Sequence, residues 1–227
     1  MTLMQKLEAA GRARLNVVMY GPPGLGKTFS AMAVMENLFP NRVSHVVLPE
    51  DCPVSVLRGH YLPAGQMVQW HDGPCIYTRR HGGGMILDEL NRVSAEGATF
   101  LHSVLDRSTL TLPNSETLPY QEEMWTIATM NESPDVLRAS LLDRFPVRLH
   151  VDKPESAALE ALGTVANFNL CLMAQNDMKG LGENFSLRKW FAMKQGLESG
   201  MTLEEIAALL YSDNSAEFVA AMRLMSR

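Results

Sequence analysis

The chain has 227 residues, 46% hydrophobic and 20% charged, with a formal net charge of −5. That is enough apolar material for one or two packed domains, which excludes global disorder, and the acidic balance gives no overall attraction for nucleic acid. No apolar run approaches the roughly 18 residues of a membrane span, and MTLMQKLEAAGRARLN at the start lacks the apolar core and cleavage site of a signal peptide.

Leu3, Leu7 and Ala10 recur at helical spacing, so 2–10 is expected to be a short amphipathic helix with Thr2 as a possible cap. LNVVMY at 15–20 reads as a buried strand ending at Gly21. A helix over 28–38 is stopped by Pro40-Asn41, and 43–48 is a second strand. Asp51 can cap a short helix through Leu57, and 59–73 reads as irregular, with Gly59, Pro63, Gly65 and Gly73 around Tyr61 and Trp70. Residues 74–81 read as helical until Gly82-Gly83-Gly84, and 85–87 as a third strand running into Asp88-Glu89. Ser94 caps a helix to about Asp106. A short strand at 109–112 and a polar loop at 113–121 follow. The fourth strand is 124–130, then a helix over 134–142 and a fifth strand over 146–151. This alternation implies an α/β domain with a mostly parallel sheet covered by helices on both faces.

Beyond Lys153-Pro154 no strand signal remains. Residues 155–176, 187–199, 203–211 and 215–226 read as helices, the third opened by a Thr202–Glu205 capping box. The expected division is an α/β domain over 1–152 and a small helical domain over 153–227.

Gly21-Pro22-Pro23-Gly24-Leu25-Gly26-Lys27-Thr28 fits GxxxxGK[ST] between a strand and a helix. Its glycines let backbone N–H groups turn inward around phosphate oxygens, and the helix N-terminus adds its positive dipole end. Lys27 is expected to reach the β- and γ-phosphates and Thr28 to ligate Mg²⁺. Met85–Leu87 delivers Asp88 and Glu89 to the carboxyl edge of a parallel sheet, beside that loop. Asp88 suits the metal shell and Glu89 suits activation of the attacking water. Asn131 ends the fourth strand at the same edge and could orient that water. Arg144, at the LLDRFPV corner, and Arg188, at the start of a helix in the second domain, are candidate cations for the γ-phosphate. The base pocket has no readable motif, so GTP remains open beside ATP.

This order of parts resembles an AAA+ ATPase. PEDCPVSVLRGHY at 49–61, WHDGP at 70–74, ILDELNR at 86–92, SVLDRSTLTLP at 103–113 and GLESGMTLEEIAALL near the end are similar to the MoxR type, within it the CbbQ/NorQ-like group. The resemblance implies a P-loop AAA+ three-layer fold with strand order 5-1-4-3-2 and a helical lid. It implies ATP and Mg²⁺ as cofactors, Asn131 as sensor 1, Arg188 as sensor 2 and Arg144 as a finger acting on the next subunit's ATP. It also implies insert loops at about 61–70 and 113–121, with Tyr61 and Trp70 as candidate client contacts. The implied assembly is a homo-oligomeric ring, expected to be a hexamer, remodelling a protein client with a partner bearing a von Willebrand A-type (VWA) domain.

A nucleic-acid-handling AAA+ motor or loader is the alternative. Neither insert loop carries Lys or Arg, which argues against it, while YTRRH at 77–81, with Arg79 and Arg80, argues for it. Cys52, Cys75 and Cys171 are odd in number without CxxC spacing, so no disulfide or zinc site is expected, and a reducing, cytoplasmic setting is.

Overall fold

A computed structural model describes residues 1–154, 156–181, 186–211 and 215–225. Helix α1 (Leu3–Arg12) opens with a capping box: the Thr2 hydroxyl accepts from the Gln5 amide at 3.2 Å and the Gln5 side chain accepts from the Thr2 amide at 3.0 Å. Leu7 and Ala10 are buried. Strand β1 (Val17–Tyr20), helix α2 (Lys27–Leu38) and strand β2 (Val43–Val47) follow. Then come α3 (Val54–Arg58), β3 (Gly59–Ala64), β4 (Met67–Asp72), α4 (Pro74–His81) and β5 (Gly83–Asp88). Next are α5 (Ala95–Leu105), β6 (Leu110–Thr111), β7 (Thr117–Leu118), β8 (Met124–Met130), α6 (Ala139–Leu142) and β9 (Val147–His150).

Five strands form one parallel sheet in the order β2-β5-β8-β1-β9. Counting sheet strands alone, this is the expected 5-1-4-3-2. Strand β8 is central, and all seven of its residues are buried, as a strand covered on both faces requires. The register sets Val47 beside Asp88 and Tyr20 beside Met130, so the carboxyl ends of neighbouring strands meet at one edge. Strand β5 starts at Gly83, two residues before the expected Met85. The glycines do not break it, because the bare Gly84 backbone admits α2: a Cβ there would stand 2.5 Å from the Met35 sulfur.

Four other local expectations are corrected. Residues 59–73 are not irregular: β3 and β4 pair antiparallel from Gly59–Asp72 to Ala64–Met67, around a Gly65-Gln66 turn. Tyr61 and Trp70 pair across this hairpin, ring centroids 5.2 Å apart and edge to face. The 113–121 loop contains β7, which pairs back onto β6. Asp51 is not a helix cap: it is left-handed at φ 49°, and Pro53 holds the cap position of α3. The 134–142 helix is two pieces, a 3₁₀ turn at Pro134–Val136 capped by Ser133, then α6.

The chain divides into two compact units, Met1–Gly21 with Lys27–Val151, and Pro22–Gly26 with Asp152–Arg227. The second contains α7 (Ser156–Glu160), α8 (Leu170–Leu181), α9 (Leu187–Glu198), α10 (Leu203–Tyr211) and α11 (Ser215–Met225). It is not all-helical. The expected 155–176 helix is interrupted by a two-stranded ladder, β10 (Thr164–Val165) and β11 (Phe168–Asn169). Ala166 and Asn167, at φ 48° and 71°, form the positive-φ turn a tight hairpin needs. Residues 155 and 226, the outer limits of two expected helices, lie outside the described residues.

The capping box of α10 forms, with the Glu205 amide donating to the Thr202 hydroxyl at 3.3 Å and the Thr202 amide to Glu205 at 2.8 Å. Trp190 is buried and donates Nε1 to Asp177 at 2.9 Å, and Tyr211 stacks on Phe218 at 4.0 Å. Burial raises the Asp177 carboxyl above its usual range and pushes the Tyr211 phenol up to about 12. Among the described residues no helix is long and apolar enough to cross a membrane.

Candidate active site

The loop between β1 and α2 carries three positive-φ glycines, Gly21 at 139°, Gly24 at 78° and Gly26 at 85°. A Cβ on Gly21 would lie 2.2 Å from the Val151 carbonyl oxygen, so the first position admits no side chain. Pro22 and Pro23 are exposed and Leu25 is buried. Within the second unit, the Leu187 amide donates to the Gly24 carbonyl at 2.9 Å, tying the loop to the start of α9.

Lys27 and Thr28 open α2. Lys27 is only 6% exposed, and its ammonium donates to the Gly21 carbonyl and to Asn131 Oδ1, each at 2.9 Å. The Thr28 hydroxyl lies 3.0 and 3.2 Å from the two oxygens of Asp88. Asp88 ends β5 and accepts a further short hydrogen bond from Thr129, while His45 Nε2 stands 3.7 Å from its Oδ2. Glu89, the next residue, is left-handed at φ 61°. A non-glycine residue in that region stores strain and persists only where its surroundings hold it. Here they do: Asn131 Nδ2 donates to Glu89 Oε1 at 2.9 Å, and Arg92 Nε lies 3.6 Å from Oε2. Lys27, Asn131 and Glu89 therefore form one chain of hydrogen bonds, with Asn131 accepting from the lysine through its oxygen and donating to the carboxylate through its nitrogen.

The structure thus brings together Lys27, Thr28, Asp88, Glu89 and Asn131. Arg144 has other partners. It follows α6, donates to Asp143 Oδ2 at 2.8 Å, and places Nη2 3.0 Å from His102 Nε2 and 3.4 Å from Asp106. Arg188 is exposed on the first turn of α9, in the second unit. Thr129, His45, Arg92 and His102 were not found by sequence reasoning. Thr129 had a legible signal, since two residues before Asn131 on a strand is the same face. The other three come from elements whose contacts no local pattern announces.

The Arg79-Arg80 pair is not a basic patch. Arg79 is 1% exposed and donates to the carbonyls of Val104, Asp106, Ser108 and Pro119. Arg80 is paired with Asp72 at 2.8 Å and, by a short contact, with Glu116.

A glycine loop between a parallel strand and a helix, followed by Lys and by a Thr that meets an Asp at the end of a neighbouring strand, defines a P-loop nucleotide-binding fold. The chain belongs to the AAA domain family, dynein-related subfamily, which matches residues 16–145. It is 33% identical over 102 residues to Midasin of Dictyostelium discoideum, which is 43% of this chain and 2% of that protein. It is 32% identical over 104 residues to the denitrification regulatory protein NirQ of Stutzerimonas stutzeri, 45% of this chain and 37% of NirQ. A crystal structure from Cytophaga hutchinsonii, provisionally described as an ATPase, superposes with TM-score 0.53 at 18% identity, covering 82% of this chain and 51% of that one. The chain therefore spans only a small part of Midasin and well under half of NirQ.

Proposed function

We propose that the protein is a Mg²⁺-dependent ATPase of the MoxR type, which works as a homo-oligomeric ring, hexameric in the simplest case, to remodel or activate a protein client. The observation that carries this reading is the Lys27–Asn131–Glu89 chain beside the Thr28–Asp88 pair. Two hard oxygen donors 3.0 Å apart suit Mg²⁺, which takes few protein ligands and completes its octahedron with phosphate and water. Thr28 and Asp88 would hold the ion, which when bound offsets charge on the phosphates.

The remaining chemistry falls to the chain's own groups. Lys27 binds the β- and γ-phosphates, supported by the amides of Gly21–Thr28. Asn131, at the γ end, orients a water for in-line attack on the γ-phosphorus. Glu89 takes the water's proton as the new P–O bond forms and the β–γ bridging bond breaks, leaving ADP and inorganic phosphate. Arg144 from a neighbouring subunit and Arg188 offset charge on the transferring group. The ring, a VWA-domain partner and a protein client are carried by the MoxR-type resemblance. The net charge of −5 and the carboxylate-bound state of Arg80 favour a protein over nucleic acid as that client.

The test is a trapped pull-down. Glu89→Gln should bind Mg·ATP without turning it over and hold the assembled state. Used as bait in native lysate against a Lys27→Ala control, it is expected to retain a VWA-domain protein or its client. Nuclease-sensitive recovery of DNA instead would overturn the protein-client reading. Nucleotide turnover undiminished in Glu89→Gln would overturn the ATPase assignment of that residue.

A further inference from the structure

We propose that His102 is the positioning residue of the Arg144 finger, holding the guanidinium through an unprotonated Nε2. The inference rests on the reading of Arg144 as a finger acting on a neighbour's nucleotide. Its chemistry follows from the donor inventory. A guanidinium has five N–H donors and no acceptor. Arg144 Nη2 lies 3.0 Å from His102 Nε2, so the imidazole must supply the lone pair there. His102 is therefore the neutral tautomer with its proton on Nδ1 in this contact.

The other partners of Arg144 hold it less firmly. Asp143 is 77% exposed and Asp106 38% exposed, and ion pairs that open to water are screened and weak. Asp106 is itself engaged by the Ser108 hydroxyl and the Arg107 amide, each at 3.0 Å. Arg144 Nε is buried without a hydrogen-bond partner among the described residues, so the guanidinium is fixed from its Nη end. A neutral acceptor has a further consequence. It sets the plane of the guanidinium without cancelling its charge, which leaves that charge for an incoming phosphate. The spacing supports one shared device: His102 and Asp106 are one helical turn apart at the end of α5, so they approach Arg144 from the same face.

Two substitutions separate positioning from packing. His102→Leu keeps bulk and removes the acceptor. His102→Gln places a neutral carbonyl oxygen near the position of Nε2. We expect His102→Leu to lower kcat for ATP by about ten- to a hundredfold with little change in KM, the scale of a misplaced reacting group. Gln should return kcat to within about threefold of the wild type. Where Leu does not fold, His102→Asn, too short to reach Nη2, carries the same test in a polar side chain. Mixing then assigns the defect. His102→Leu subunits keep an intact site, and Glu89→Gln subunits keep an intact finger, so mixed rings should regain activity that neither has alone. Arg144→Ala mixed with Glu89→Gln is the control. If that control gains nothing, the trans-finger reading fails. If it gains activity while His102→Leu alone turns over like the wild type, or is not restored by Gln, the finger stands and the His102 proposal falls.

Discussion

Two clusters of charged side chains in the first unit are buried to a similar degree and differ in what they are bound to. Lys27 is 6% exposed and donates to one backbone carbonyl, Gly21, and to the Asn131 side chain, which passes on to Glu89. Arg79 is 1% exposed and donates to backbone carbonyls at the end of α5 and in the segments beyond it, Val104 at 2.5 Å, Asp106 at 2.8 Å and Pro119 at 2.9 Å among them. Carbonyls at a helix end are fixed orphan acceptors, and a cation there completes the fold. A side-chain amide is an exchangeable partner, and an arriving phosphate can replace it. Burial alone does not separate the two cations; a side-chain partner that a ligand can replace does.

The comparison is tested most severely at Glu89. Glu89→Gln preserves size and can still meet the Asn131 amide, but it cannot take a proton. Turnover should fall by about two to four orders of magnitude with nucleotide affinity nearly unchanged, read by steady-state kinetics beside equilibrium binding. Arg79→Met should do the reverse. It leaves four carbonyls without their donor and should destabilise the protein by about 3–5 kcal/mol, seen in denaturant unfolding. The nucleotide KM of the protein that remains folded should not move. A large KM change in Arg79→Met would erase the distinction between the clusters.

How far the sequence announced these parts depends on the physics of each. Strands β1, β5 and β8 were legible because strands buried on both faces are nearly continuous apolar runs. The gathering of Lys27, Thr28, Asp88 and Glu89 at one sheet edge was legible because a GxxxxGK[ST] loop after one strand and an acidic pair after its parallel neighbour bring them there. The β3–β4 hairpin was not, since Tyr61, Leu62, Met67 and Val68 are exposed and no alternation marks a core face. Ala166 and Asn167 hid the β10–β11 ladder, because two-residue strands leave no period to detect. Arg144 was found by its local context, yet its partner His102 is 42 residues earlier and nothing local links them. Arg79 and Arg80 read in the sequence as a basic pair that argues for a nucleic-acid partner, because composition cannot tell a basic patch from a cation buried under carbonyls.

A finer version of the comparison lies within the sheet edge. Thr129 donates to Asp88 from the neighbouring strand, as Thr28 does from α2. Thr129→Val keeps the shape and removes the donor. The Mg²⁺ concentration needed for half-maximal binding of a fluorescent ATP analogue should rise by about tenfold, as when an outer-shell partner of a ligating carboxylate is lost, and Thr129→Ser should restore it. An unchanged Mg²⁺ midpoint in Thr129→Val would make that hydroxyl a packing feature only.

The smallest effect is expected where charge is most accessible. Arg80 joins the β3–β4 hairpin, through Asp72, to the β6–β7 hairpin, through Glu116. The Arg80 hydrogen bond, with lesser help from Asn114, holds the Glu116 carboxyl below its usual range. A carboxylate depressed in the folded state contributes stability that is fully present above its unfolded pKa and is lost as pH falls through the folded one. Arg80→Ala should therefore lower Tm by about 1–3 °C near neutral pH, given how little ion pairs that remain open to water contribute. The gap to the wild type should close as pH drops below about 4, and it should also narrow in high salt. ATPase activity should change little across the same series, because this cation locks two hairpins together and donates to nothing a nucleotide would displace. A gap that widened on acidification would mean that Arg80 is held by groups other than the two carboxylates.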